Sequence, residues 1–219
     1  MSGLKLFWSF AKSAALEVKD NKNLYASAFF ALLLLGNVET LYPLLGVAEE
    51  SNAYIAITII ATLLIFIVLS QVVLIQKRKH GGVGELGFFV PTFLLYNLYY
   101  SFLFFVGLLL FIIPGFYVLI FFSMVPFVAV LDDEAQGQFF KKSRELVRKN
   151  ISLVAWVSVI NLSMDLSSLL FSPIEDPLIK AFSHFIFSIP DAFVTIVMTI
   201  TTVKVYYYLK QLSPGAAQI

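Results

Sequence analysis

The chain has 219 residues, of which 59% are hydrophobic and only 13% charged, with a mean hydropathy of +0.88 and a formal net charge of +1. A soluble domain covers its surface with about 25% charged residues, so this composition excludes an ordinary soluble enzyme. The absence of cysteine removes disulfides, thiolate zinc sites and cysteine nucleophiles.

Taken in chain order, residues 3–20 form the first predicted element. Leu4, Phe7, Trp8, Phe10, Ala11, Ala14 and Val18 share a broad apolar side, and Lys5, Lys12 and Lys19 recur every seven residues. This spacing predicts an amphipathic helix. Two placements are open to it, in the interface with lysines toward anionic headgroups, or packed as a lead-in against the bundle. Residues 1–23 lack the apolar core and small-residue cleavage site of a removable leader, so the first span is expected to serve as an uncleaved signal.

Spans follow at about 24–45 and 54–75. The second is free of charge, and 22 residues at about 1.5 Å each cross a hydrocarbon core of roughly 30 Å. The loop after it carries Lys77, Arg78, Lys79 and His80, then Gly81, Gly82 and Gly84. No Gly-Lys-Ser/Thr follows, so the glycines read as a turn and not as a phosphate cradle. Residues 88–131 hold no charge and are twice as long as one span requires. Pro114-Gly115 is the expected break, giving spans at 88–113 and 116–131, with Pro126 bending the second. Residues 136–150 form a second amphipathic helix. Phe139, Phe140, Leu146 and Val147 lie on one side, and Lys141, Lys142, Arg144, Arg148 and Lys149 surround the rest as possible lipid-headgroup contacts or plain topology-setting charges. The remaining spans fall at about 151–171 and 181–203, separated by a loop with two prolines and two acids.

The fold class expected is therefore all-α integral membrane, a single domain over 1–219 forming a six-span helical bundle with amphipathic interfacial helices. Charge tests the count independently. With both termini cytoplasmic, every one of the 15 basic residues except Lys180 falls inside, while Glu49, Glu50, Glu175 and Asp176 fall outside. Basic residues near span ends hold a segment in the cytoplasm.

Three carboxylates fall within spans: Glu39, Asp165 and Asp191. A charge at mid-membrane costs about 2.5–3.5 kcal/mol on insertion scales, so each needs a partner, a cavity or a proton. Ser158, Asn161, Asp165 and Ser168 share one helical face, as do His184, Ser188, Asp191, Thr195, Thr199 and Thr202. Both faces are expected to turn inward, and Pro190 to kink its helix. Glu39, Asn97, Asn161, Asp165, His184 and Asp191 are then a candidate polar intramembrane cluster, serving an ion or substrate path or interhelical packing. An aspartyl-protease reading of Asp165 and Asp191 lacks the flanking motifs, and no Gly-x-Ser-x-Gly is present. No cofactor, metal or nucleic acid is implied.

One stretch carries a resemblance. Ile113-Pro114-Gly115-Phe116, an apolar run to Pro126, and Leu131-Asp132-Asp133 precede Ser143, Leu146, Val147 and Asn150. This resembles a broad superfamily of bacterial polytopic inner-membrane proteins related to the membrane domain fused to some glycerophosphodiester phosphodiesterases, with an "IPG" turn and a Ser-x-x-Leu helix. Phe139-Phe140 stands here where that family has Ala-Leu. The resemblance implies a bacterial cytoplasmic-membrane location. It implies no phosphodiesterase activity, because that catalytic domain is absent. The expected role is a non-enzymatic membrane protein organising lipid or a partner membrane protein, in one copy or as a homo-oligomer. The alternative is a small channel or transporter using the buried carboxylates.

Overall fold

The computed structural model describes residues 2–38, 42, 51–82, 86–133, 135, 137–167 and 177–212. Within these the chain is all helical, with no strand. The helices are α1 (Gly3–Asp20), α2 (Lys22–Gly36), α3 (Asn52–Lys79), α4 (Leu86–Leu110), α5 (Ile112–Phe121), α6 (Val125–Leu131), α7 (Phe139–Lys149), α8 (Ile151–Ser167) and α9 (Pro177–Gln211). Four segments are long and apolar enough to cross a membrane: Asn52–Lys79, Gly87–Leu110, Ile112–Leu131 and Phe182–Gln211. Lys22–Gly36 and Ile151–Ser163 are shorter apolar helices. The described residues are thus all helical or connecting, with four apolar helices of the length and composition that suit a membrane protein.

Helix α1 packs on the bundle. Its buried positions Phe7, Ala11, Ala14 and Val18 recur at four, three and four residues and form one stripe against α8 and α9. Gly3 opens that contact, because a Cβ there would lie 2.8 Å from the Leu153 backbone nitrogen. Of the two placements left open by the sequence, the lead-in packed on the bundle is the one observed for this stripe. A second stripe, Leu4, Trp8 and Leu16, stays exposed among Lys5, Lys12 and Lys19.

The long apolar stretch does fold back, but at Phe111 and not at Pro114-Gly115. Helix α4 ends at Leu110, Phe111 is extended (φ −164°, ψ 150°), and α5 begins at Ile112. Pro114 therefore sits in the first turn of α5, where its missing N–H is one that has no intrahelical partner anyway. The glycines act in the helix contact. A Cβ on Gly107 would lie 3.0 Å from Gly115 Cα, and one on Gly115 would meet Leu108 Cδ2 at 2.5 Å. Small residues let the two backbones approach. A second interruption at Phe122–Met124 precedes α6, which carries Pro126 in its first turn.

Helix α7 reaches the middle of α4 and the C-terminus of α5. Its Phe139 and Phe140 meet Tyr96 and Tyr99 edge-on at 4.8 and 5.3 Å, and its Leu146 and Val147 are buried. Helix α9 runs unbroken through Pro190 and touches α1, α2, α3, α7 and α8, so the core gathers around it. One apolar cluster joins Phe7, Met124, Val128, Leu146, Leu153 and Tyr206, and a second joins Ala14, Tyr25, Leu32, Val72, Ile196 and Ile200.

Candidate functional site

The basic segments 77–79, 141–149 and 204–210 all meet at one end of the bundle, where they divide into two groups. The first group is consumed by internal contacts. Glu17 of α1 receives Lys79 at 2.6 Å and Lys204 at 3.0 Å, together with Gln76 Nε2 at 2.6 Å and the Tyr25 hydroxyl at 2.9 Å. Four helices are thereby tied to one carboxylate. Burial alone pushes the Glu17 carboxyl up, but the hydrogen bonds from Lys79, Gln76, Lys204 and Tyr25 outweigh it and hold it down at about 2. Asp132, whose side chain is fully buried, pairs with Lys142 at 3.0 Å and Lys210 at 3.3 Å. Here too burial raises the carboxyl while the two lysines lower it further, so it sits below the ordinary aspartate value.

Three helix C-termini at this end are covered from outside, as their orphan carbonyls require. Lys77 is 4% exposed and donates to Val130 O at 2.9 Å while pairing with Asp133 at 2.8 Å. Lys149 donates to Leu209 O at 3.1 Å, and Ser143 Oγ to Phe121 O at 2.8 Å. Helix α3 itself closes on a Schellman motif. Gly82 N bonds Lys77 O, Gly81 N bonds Arg78 O, and Gly81 takes φ +79°, which only glycine adopts freely. His80 stacks on Tyr207 with ring centroids 4.0 Å apart.

The second group is exposed and pairs with no carboxylate among the described residues: Lys5, Lys12, Lys19 and Lys22 on α1 and α2, and Lys141, Arg144 and Arg148 on α7. Lys149 ties α7 to the last turns of α9, and α1 reaches the same turns through the Phe10–Tyr208 ring contact, while Lys12, Lys19 and Lys22 lie farther back along α9, beside Phe193 and Ile196. Of the five headgroup candidates on α7, Lys142 and Lys149 are thus engaged internally, and Lys141, Arg144 and Arg148 face outward.

A polar cavity of about 290 Å3 lies deeper in the bundle between α3, α4, α5, α6, α8 and α9. Asn97 and Asn161 line it together, with Ser123, Ser158, Thr195, Thr199 and Thr202. Most of these groups spend their protons on their own helices: Thr199 on Thr195 O, Thr202 on Met198 O, Ser123 on Ile120 O, and Asn97 on Phe93 O. The Ser158 hydroxyl is buried and makes no hydrogen bond to a described residue. A buried polar group left so costs about 1–3 kcal/mol unless water reaches it, and a polar cavity of this size admits water.

Asp191 is exposed on α9 and His184 half-buried, and neither lines the cavity. The expected inward turn of the whole α9 face therefore does not extend to Asp191. The inward positions beside it are Ala192 and Ile196, which pack against α2 and α3. Glu39, and the side chain of Asp165 on α8, lie outside the described residues. The polar link between α2 and α9 is instead Asn37 Nδ2 to Ser188 Oγ, at 2.6 Å. Glu17, Gln76 and Asp132 were missed from sequence. Glu17 is an acid among the lysines of an amphipathic segment, and Gln76 and Asp132 are polar residues at the ends of apolar runs, but their partners are far away in the chain. No protein-family model, curated protein or solved structure matches this chain.

Proposed function

We propose that the chain is a non-enzymatic, multi-pass membrane protein that organises anionic lipid at its basic end. The reading places six spans in a bacterial cytoplasmic membrane with both termini inside. One observation carries it: six lysines are neutralised or used as caps inside the end of the bundle, whereas Lys5, Lys12, Lys19, Lys22, Lys141, Arg144 and Arg148 are left facing outward. Structural needs account for the first set and not for the second. Outward cations around Trp8, Leu4 and Leu16 suit a layer of anionic headgroups over acyl chains. Reconstitution in nanodiscs tests this. The melting temperature is expected to rise with the fraction of phosphatidylglycerol in phosphatidylcholine, and a Lys141→Gln, Arg144→Gln, Arg148→Gln variant to lose part of that rise. Equal stability in zwitterionic and anionic bilayers, from a chain that holds no lipid on purification, would overturn it.

A second reading rests on the polar cavity. Asn97, Asn161 and the unpartnered Ser158 hydroxyl suit a small neutral polar solute, in a channel or transporter that does without carboxylates among the described lining residues. Solute or water flux in proteoliposomes, abolished by Asn161→Leu, would support it.

A further inference from the structure

We infer that the groove between α1, α2 and α9 is a dedicated site for one anionic phospholipid, an acyl chain lying in the groove and the headgroup on Lys12, Lys19 and Lys22. The inference rests on the lipid reading above and deepens it, from a charged end to a defined site. Helix α1 stops at Asp20, Asn21 caps it through Glu17 O, and α2 starts afresh at Lys22. The two helices touch little beyond this corner and leave a groove of about 570 Å3. Ala15 and Ala26 supply its depth, Phe29, Phe30 and Phe193 its walls, and those walls are almost wholly apolar. A slot of this kind suits a hydrocarbon chain and offers a polar ligand nothing to bond.

Charge supplies the other half. Lys12, Lys19 and Lys22 all border the groove, and none pairs with a described carboxylate. The carboxylates on α1 are Glu17 and Asp20. Glu17 is turned to Lys79 and Lys204, and Asp20 does not line the groove. An apolar slot rimmed by uncompensated cations complements a phosphate-bearing lipid, whereas a peptide partner would have to supply acids and a greasy helix in one piece. Basic residues at a membrane surface act additively on anionic lipid.

The test counts phosphatidylglycerol and phosphatidylcholine retained by the full chain, by native mass spectrometry from mixed micelles. Wild type is expected to keep one phosphatidylglycerol. Lys12→Gln, Lys19→Gln, Lys22→Gln together should lower the preference for it by about a hundred-fold, roughly five-fold per lysine, with the melting temperature in plain detergent unchanged because these side chains are exposed. Ala26→Trp should fill the slot and displace lipid of either headgroup. Unchanged retention in the triple variant would overturn the site. If the loss then appears in the Lys141, Arg144, Arg148 variant, the lipid reading survives without this groove. If wild type keeps no lipid at all, both fall together.

Discussion

The α4–α5 hairpin and the α1–α7–α9 end are built from similar residues for different solvents. In the hairpin, Phe102, Phe105, Leu109, Phe111 and Ile113 are 63–81% exposed, and only 11% of the apolar stretch in Gly87–Leu110 is buried. In α9 the corresponding share is 44%, and Tyr206 and Leu209 are completely covered. A soluble protein could not leave so many phenylalanines bare, but hydrocarbon does not penalise them. What holds the hairpin is close backbone approach at Gly107 and Gly115. What holds the other end is charge: a buried carboxylate, Asp132, and a partly buried one, Glu17, each gripped by lysines from different helices. The difference teaches that within one chain cohesion changes from shape to electrostatics as the surroundings change from oil to headgroup.

Substitutions should separate these two modes. The largest effect is expected from Asp132→Ala, which leaves Lys142 and Lys210 facing each other without their acid. A hydrogen bond to a charged group contributes about 1.5–3 kcal/mol and two are lost together, although both lysines are partly exposed and regain some solvent; the loss is read as a lowered unfolding midpoint in detergent. Gly115→Val follows, at about 1–3 kcal/mol for overpacking, and should separate α4 from α5 in cysteine crosslinking between introduced sites. Acid then distinguishes the two regions directly. Both Glu17 and Asp132 have folded values below their unfolded ones. Their contribution is therefore complete above about pH 4.5 and is lost as pH falls toward 2. A thermal melt followed across that window should drop in wild type and flatten in Glu17→Gln, while Gly115→Val should keep the wild-type slope. Smallest of all is Phe111→Ala, within about 0.5 kcal/mol in detergent. A loss of several kcal/mol there would mean that the hairpin packs against protein and not lipid.

Much of the architecture was legible because bilayer-crossing helices need length and greasiness, which are local properties. Residues 54–75 fall inside Asn52–Lys79, and residues 3–20 form the single helix α1. The hairpin turn was misplaced by about three residues for an understandable reason. Proline marks a helix break and a helix first turn equally well, and only the partner backbone decides between them. Asn97 and Asn161, both polar residues on greasy helices, line one cavity. The clamps were invisible, because Glu17 finds Lys79 across 62 residues and Asp132 finds Lys210 across 78. Such pairings depend on which helices become neighbours, and no period within either helix records that.

The position of α9 has a consequence for the order in which the molecule is made. Helix α1 leaves the ribosome before the other described helices, yet the surfaces that cover Phe7, Ala11 and Ala14 belong to α8 and α9, the last two helices described. Lys79 likewise waits beside Glu17 for Lys204. During synthesis α1 must therefore remain parked, with its greasy stripe shielded by bilayer or chaperone, until α9 arrives and locks the assembly shut.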